Sequence, residues 1–168
     1  SSHGHAIAAK GLNAFPQLYP CDNIDGETWT VYTNRSVAGA MRGYGMPHAS
    51  YAFECHAEDC ARAVGMDPMK FRRQNLMPVG YYHAFSQNEL YSDTFNQCFD
   101  KGAEIIGYYE KREKYKNQTG DIRRGIAAST FWYNTAVYPI ALETSSCRIV
   151  MNQDGSVQFQ LGETEIGQ

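Results

Sequence analysis

The sequence has 168 residues, 43% of them hydrophobic, which is enough apolar side chain to form one folded domain with a core of its own. Its 15 basic and 18 acidic residues give a net charge of −3, which argues against a nucleic-acid partner because such proteins usually carry a clustered positive face. The sequence contains no run of about 18 apolar residues, so we expect a soluble protein that does not enter a membrane.

The amino-terminal region contains a histidine pair, two prolines and a strand-like pattern. His3 and His5 place two imidazoles on one side of an extended chain, but two imidazoles without a third nearby ligand make a poor metal site. Pro16 and Pro20 exclude a continuous helix in this region. Residues 28–34 are rich in β-branched and aromatic side chains and therefore predict a strand.

A glycine-rich stretch, VAGAMRGYGMP, follows at residues 37–47. Glycine is less favourable than alanine in a helix or strand by about 0.5–1 kcal/mol, so the cluster predicts a loop that turns sharply or approaches another group closely. Arg42 offers a rigid fork of donors for oxyanions, and Tyr44 offers a flat ring with a polar end. This pair suits a planar polar ligand, although the stretch alone also fits an ordinary surface turn.

A helix is predicted directly after this loop. Small and apolar residues recur every three or four positions from 47 to 64, which is the pattern of an amphipathic helix, and Gly65 is expected to end it. The charged residues of this segment fall between the apolar positions, so they are predicted to face solvent. They are Glu54, Glu58, Asp59 and Arg62.

A second, short helix is predicted to begin at Asp67 and Pro68. Aspartate is a favourable N-cap, and proline is favourable at the first helical position. Arg72 and Arg73 stand near the end of this helix, where positive charge interacts favourably with the helix dipole. We therefore expect neither arginine to require an anionic partner.

The middle of the chain predicts an aromatic-rich loop, a helix and a strand. Residues 77–91 show no periodicity and are expected to pack on another part of the protein. A third helix is predicted to begin at Ser92 or Asp93 and to run into a charged, solvated end. Residues 124–132 predict a strand. The residues expected on the buried side of the third helix are Phe95, Cys98, Phe99, Ile105, Ile106 and Tyr109.

The most regular β pattern lies at residues 147–161. Apolar and polar residues alternate on both sides of the turn-forming sequence NQDG, which predicts a hairpin with one buried face. In the exit GETEIGQ, Gly167 permits close backbone approach, and the amide of Gln168 can both donate and accept hydrogen bonds. Together with the helices, this hairpin indicates an α+β fold with a mixed sheet and helices on one side.

The five cysteines are scattered along the chain and are odd in number. Their spacing fits neither a disulfide framework nor the C-x-x-C pattern of a zinc or iron–sulfur site. We expect these cysteines to be buried free thiols in a reducing compartment, and we therefore expect a cytoplasmic protein. The cysteines are Cys21, Cys55, Cys60, Cys98 and Cys147.

Several of these motifs occur, in the same order, in one known family. The chain resembles the molybdopterin-binding large subunit of the xanthine dehydrogenase and aldehyde oxidase family, and especially bacterial xanthine dehydrogenase molybdenum subunits. The exit of the hairpin also resembles the pterin-contacting loop of that family, and His48 stands where the family usually has glutamine. The motifs that carry the resemblance are Tyr32-Thr33-Asn34, Ala38 to Gly45, Pro47, Gly65 to Pro68, Phe71-Arg72 and Asn75.

The resemblance implies roles for seven residues. Arg42 matches the family's arginine beside the molybdenum, and Tyr44 matches an aromatic residue that packs against the substrate. Lys10 lies near the position of a substrate-orienting arginine. The motif that carries the family's catalytic base, a glutamate, has no counterpart in this sequence, so no catalytic residue is assigned here. The residues expected to contact the pterin cofactor are Gly43, Ile166, Gly167 and Gln168.

The resemblance also implies cofactors and partners. The chain is expected to contribute to a site for molybdopterin-bound molybdenum, while two 2Fe–2S clusters and FAD lie on other subunits or domains. Family subunits are several times longer, so residues 1–168 are expected to form a single or partial domain of a longer molybdenum subunit, inactive when isolated. The implied enzyme is a molybdenum hydroxylase that oxidises purines, xanthine or hypoxanthine, with oxygen taken from water.

Two alternatives remain open from the sequence. An aldehyde oxidoreductase of the same family is one, because Tyr44 suits either flat substrate. A non-catalytic interaction module is the other, in which the aromatic-rich loops at 81–91 and 131–138 form a protein interface. Oxidation of carbon monoxide is disfavoured, because the related enzymes place a cysteine in the loop equivalent to residues 42–45 and this loop has none.

Overall fold

Helices form most of the regular structure in the computed structural model of the chain. It describes residues 4–13, 18–37, 39–83, 87–133, 144–162 and 167. Two short antiparallel strand pairs accompany the helices. The helices are α1 (Gly4–Asn13), α2 (Met46–Ala63), α3 (Pro68–Asn75), α4 (Phe95–Ile106) and α5 (Tyr108–Lys114). The strands are β1 (Tyr82–His83), β2 (Asn88–Glu89), β3 (Cys147–Met151) and β4 (Val157–Leu161).

The predicted helix after the glycine-rich loop is confirmed as α2, and Gly65 ends it as expected. Gly65 has a φ of 65°, and its N–H donates to the carbonyl of Arg62 at 3.2 Å. The N–H of Met66 donates to the carbonyl of Ala61 at 2.9 Å. These two bonds form a Schellman motif, which satisfies carbonyl groups at the helix end and requires a left-handed residue that glycine supplies without strain.

The predicted cap of α3 is also confirmed. The Asp67 carboxylate accepts hydrogen bonds from the N–H groups of Met69, at 3.0 Å, and Lys70, at 3.1 Å. Pro68 occupies the first helical position, where its missing N–H has no cost. Sequence and structure agree here because capping is a local interaction.

The main apolar core lies between α3, α4 and α5. It contains Met69, Phe99, Ala103 and Tyr108, all at most 8% exposed. The expected buried side of α4 is only partly correct, since Phe99 is buried but Ile105 is 73% exposed. Gly107, with a left-handed backbone, ends α4 and begins α5, whose Tyr108 completes the core.

The strands predicted at 28–34 and 124–132 do not form. In the described residues neither segment pairs with another strand, and Trp29 is 74% exposed. A pattern of β-branched and aromatic residues favours an extended chain, but a strand also needs a neighbouring backbone to complete its hydrogen bonds. The second segment is still organised, because Ile126 and Ala128 pack against the core from alternate positions.

The predicted hairpin is confirmed as β3 and β4, with Ile149 opposite Phe159. The face expected to be buried is not covered by the described part of the chain, since Ile149 is 64% and Phe159 56% exposed. The α+β class is confirmed. Among the described residues, however, the β structure consists of two separate antiparallel pairs instead of one mixed sheet. No helix in the part of the chain that the structure describes has the length and apolar character needed to cross a membrane.

Candidate cofactor-binding site

The glycine-rich loop forms a tight turn immediately before α2. The N–H of Tyr44 donates to the carbonyl of Met41 at 2.7 Å, and the N–H of Met46 donates to the carbonyl of Gly43 at 2.9 Å. Gly43, Tyr44 and Gly45 have successive φ angles of 101°, 49° and 95°. The left-handed conformation costs a residue such as tyrosine about 1–2 kcal/mol, and strain of this kind is typical of functional sites.

The loop is pressed against α1, which explains why Gly45 cannot carry a side chain. A Cβ atom at this position would lie 2.5 Å from the carbonyl oxygen of Ile7. From the α1 side, a Cβ atom added at Gly11 would lie 3.6 Å from the carbonyl oxygen of Gly45. Helix α1 and the loop therefore approach each other backbone to backbone.

Arg42 of the glycine-rich loop and Gly167, which the sequence assigns to one site, lie close together in the structure. The Arg42 side chain is exposed, and its guanidinium lies beside Gly167, which follows β4 near the other end of the chain. A Cβ atom at Gly167 would lie 3.2 Å from Nη2 of Arg42 and 3.6 Å from the central guanidinium carbon. Gly167 also has a φ of 76°. Both the contact and the backbone conformation therefore favour glycine at this position.

The other predicted site residues are placed as follows. Tyr44 is half-buried within the turn. Lys10 lies on α1 between the two residues that touch Gly45, and its Nζ stands 5.8 Å from the centre of the Tyr133 ring. Ile166 and Gln168 lie outside the described residues. In the described part of the chain, no cluster of three or more His, Cys, Asp or Glu side chains forms a metal site.

A buried hydrogen-bond network surrounds Glu54 of α2 and corrects two expectations. Glu54 was expected to face solvent, but it is only 7% exposed. Its Oε2 accepts from Nε of Arg72 at 2.7 Å and from the N–H of Thr130 at 2.9 Å. Its Oε1 accepts from the Tyr19 hydroxyl at 2.6 Å and from the Thr130 hydroxyl at 3.3 Å. The carboxylate is thus fully satisfied inside the protein, as a buried charge must be.

Arg72 was expected to need no anionic partner, yet it is 2% exposed and pairs with two carboxylates. Its Nη1 donates to Glu58 at 3.3 Å, and its Nη2 donates to the carbonyl of Glu54 at 3.0 Å. Burial by itself lowers the pKa of Arg72, but the hydrogen bond and charge of Glu54, together with Tyr19 and Glu58, outweigh that effect and raise it. Burial, reinforced by the bond to Glu54, also raises the pKa of Tyr19 above its usual value.

Comparison with known proteins gives the same result in sequence and in structure. Two family profiles, each described as a molybdopterin cofactor-binding domain, match residues 1–76 and 101–168. A xanthine dehydrogenase molybdenum-binding subunit from Escherichia coli O157:H7 is 39% identical over 99% of this chain and 22% of the relative. The large molybdopterin subunit of a nicotinate dehydrogenase from Eubacterium barkeri is 32% identical over 67% of this chain and 27% of the relative.

The crystal structure of an aldehyde oxidoreductase from Desulfovibrio desulfuricans superimposes on 95% of this chain with a TM-score of 0.76 and 27% identity, and the match covers 17% of that protein. The chain belongs to the xanthine dehydrogenase and aldehyde oxidase family. It spans about a fifth of the length of the E. coli xanthine dehydrogenase subunits that it matches. The family resemblance and the molybdopterin class of cofactor predicted from the sequence are thereby confirmed.

The residues that sequence reasoning missed in this family member are those of the buried network. A signal was present, because Glu54, Ala57 and Ala61 are spaced three and four apart and all are buried on one side of α2. Glu58 lies four residues after Glu54, next to the same stripe. Tyr19 and Thr130 gave no comparable signal, since their approach to Glu54 depends on how distant segments pack.

Proposed function

We propose that the chain forms part of the molybdenum-cofactor-binding region of a molybdenum hydroxylase that oxidises purines, xanthine or hypoxanthine, with water as the source of oxygen. The supporting observation is the contact of Arg42 with Gly167. It joins the glycine-rich turn to Gly167, and these two belong to different segments that each match a molybdopterin-binding domain.

The chemistry of this place fits the proposed cofactor. Arg42 presents an exposed guanidinium, which can bind an anionic group through two parallel hydrogen bonds. Gly167 has no side chain to keep a flat ring system away from the backbone. The Arg42 guanidinium beside the Gly167 backbone therefore suits an anionic heterocycle.

Each predicted residue receives a role in this proposal. Arg42 would be the residue adjacent to the molybdenum and would stabilise negative charge there. Tyr44 packs against the substrate ring, and Lys10 orients the polar edge of the substrate. When bound, the molybdenum cofactor supplies the oxidation chemistry. The backbone of the two loops holds the pterin through Gly43, Ile166, Gly167 and Gln168.

The catalytic base and the electron-transfer centres are supplied by other parts of the enzyme in this proposal. A glutamate acting as general base is supplied by another part of a longer molybdenum subunit. Two 2Fe–2S clusters and FAD, on partner subunits or domains, carry the electrons away. The assembled enzyme works in the cytoplasm, where free thiols stay reduced. The cysteines themselves are not buried as expected, since Cys21, Cys55, Cys98 and Cys147 are exposed.

Purines are preferred over aldehydes because the E. coli relative that is 39% identical bears the name of a xanthine dehydrogenase. The structural match to an aldehyde oxidoreductase favours the second candidate, an aldehyde-oxidising enzyme. Steady-state rates of the assembled enzyme with xanthine, hypoxanthine and an aromatic aldehyde discriminate between them. We expect kcat/KM for xanthine to exceed that for the aldehyde by at least about tenfold.

Molybdenum analysis tests the proposal as a whole. We expect about one molybdenum per full-length subunit by elemental analysis, and weak cofactor binding without turnover by the isolated 168 residues. A stable, metal-free full-length protein that associates with neither iron–sulfur nor flavin subunits would instead indicate an interaction module. Stoichiometric molybdenum and xanthine-dependent dye reduction by the isolated chain would refute the proposed division of the site.

A further inference from the structure

Glu54 belongs to a series of contacts that starts at the glycine-rich loop and returns to it. The loop runs directly into α2, because the N–H of Met46 donates to Gly43 at 2.9 Å and the N–H of Ala49 donates to Gly45 at 3.4 Å. The loop and the first turn of α2 therefore share a continuous set of backbone hydrogen bonds. Glu54 projects from the same helix about two turns further on.

From Glu54 the contacts pass to the extended segment 126–133. Both the N–H and the hydroxyl of Thr130 donate to the Glu54 carboxylate, at 2.9 and 3.3 Å. Among the described residues this segment pairs with no strand, so side chains and not a β-ladder hold it. A second attachment lies one helical turn away, where Arg112 pairs with Glu58 at 3.2 Å and donates to the carbonyl of Ile126 at 3.3 Å.

The segment then returns to the loop through α1. Tyr133 stands three residues after Thr130, and the ammonium of Lys10 lies 5.8 Å from the centre of its ring, within the range of a cation–π interaction. Lys10 belongs to the helix whose Ile7 carbonyl abuts Gly45. The contacts thus form a cycle, which we call the contact cycle: loop 41–45, α2, Glu54, Thr130, Tyr133, Lys10, α1 and the loop again.

We propose that Glu54 is a positioning residue that closes this contact cycle and so fixes Lys10 and Tyr44 relative to each other. The inference rests on the proposed function, in which these two side chains bind the substrate. Glu54 touches neither the loop nor Lys10 directly in the described contacts, so its effect passes through α2 on one side and Thr130 on the other.

The burial of Glu54 makes this role specific. Its carboxylate accepts four hydrogen bonds from three partners, Tyr19, Arg72 and Thr130, and the ion pair with Arg72 is sealed from solvent. A buried charge with its acceptor sites filled has one favourable geometry, whereas an exposed glutamate samples many. Removing one donor leaves a lone pair unsatisfied and allows the segment 126–133 to shift.

Tyr19→Phe is the mild test, because it deletes the 2.6 Å bond to Glu54 and leaves the pair with Arg72 in place. In the assembled enzyme, with xanthine as substrate, we expect KM to rise by about threefold to tenfold and kcat per bound molybdenum to change by less than about twofold. Glu54→Gln is expected to change KM in the same direction by more. Tyr51→Phe is the matched control, since Tyr51 is on α2 but 76% exposed, and its KM should not move.

Amide hydrogen exchange of the full-length subunit supplies a readout independent of turnover. We expect Tyr19→Phe to speed exchange in peptides covering 39–47 and 126–133 while the α4 peptide 95–106 keeps its protection. Faster exchange confined to 126–133, or spread equally over α4, would show a merely structural role and overturn the proposal. An unchanged KM in both Tyr19→Phe and Glu54→Gln would overturn it as well.

The two proposals fail differently. If the wild-type enzyme contains no molybdenum and oxidises neither purine nor aldehyde, the proposed function is wrong, and the exchange pattern alone decides whether Glu54 holds the contact cycle. If the wild type contains molybdenum and turns over while the variants match it in KM and in exchange, the proposed function stands and the positioning role is wrong.

Discussion

Nη2 of Arg42 lies 3.2 Å from the point that a Cβ atom would occupy at Gly167. Gly167→Ala therefore has two consequences. The alanine is strained by about 1–2 kcal/mol because φ is 76°, and its methyl group pushes the guanidinium away from its place beside the loop. We expect molybdenum content and kcat to fall by at least about fivefold, measured by elemental analysis and steady-state kinetics.

Gly155→Ala separates the two effects. Gly155 has a similar φ of 82° in the turn of the β3–β4 hairpin, but a Cβ atom there meets nothing within 4 Å. This control should lose comparable stability and keep its molybdenum. Equal molybdenum content in the two variants would show that the contact with Arg42 has no part in cofactor binding.

Replacing Arg42 tests the charge itself. In Arg42→Ala the backbone turn stays intact while the exposed guanidinium is lost, so we expect kcat to fall by about 10²–10³-fold with little change in melting temperature. Arg35→Ala is the control, because Arg35 is also exposed and its hydrogen bond to Thr33 is made by the backbone N–H. If Arg35→Ala reduces kcat as much, the effect is one of general surface charge.

The buried ion pair of Arg72 and Glu54 predicts a large loss of stability when one partner is removed. Arg72→Met leaves Glu54 and Glu58 without their shared cation, and such a change typically costs about 3–5 kcal/mol. Urea unfolding measures the free energy. Lys101→Met removes an exposed pair with Glu104, whose side chains are both 71% exposed, and should cost less than about 1 kcal/mol. Similar losses would contradict the burial of Arg72.

His83 predicts a loss of stability in mild acid. It is 4% exposed and lies edge-on to Trp132, with 6.4 Å between ring centres, and burial lowers the pKa of its imidazole. The unfolded chain, with a histidine pKa of about 6.5, then binds more protons than the folded chain as the pH falls below that value. The free energy of unfolding should therefore fall with pH below about 6.5 and level off above it, with a slope of at most about 1.4 kcal/mol per pH unit.

Chemical unfolding between pH 5 and pH 7.5 measures this slope. We expect His83→Gln to reduce it, whatever the substitution costs in absolute stability. A slope that survives in His83→Gln would assign the pH dependence to other groups.

The local features of the fold could be predicted from the sequence because neighbouring residues determine them. The end of α2 at Gly65 and the cap at Asp67 each involve residues within five positions of one another. The hairpin of β3 and β4 depends on a short turn between two alternating segments. The order of the motifs along the chain was enough for the family, and the glycine-rich loop, read with that resemblance, singled out Arg42 and Tyr44 as candidates.

Only the tertiary structure decided which charges are buried and which apolar residues are not. Glu54 shares a helical stripe with Ala57 and Ala61, but its enclosure with Arg72 depends on the packing of α3 on α2 and on Tyr19 and Thr130 from distant segments. Conversely, the apolar face of the hairpin and the segment 28–34 remain exposed in the described part of the chain. Burial depends on which other parts of the protein pack against a residue, and a local sequence pattern does not specify those parts.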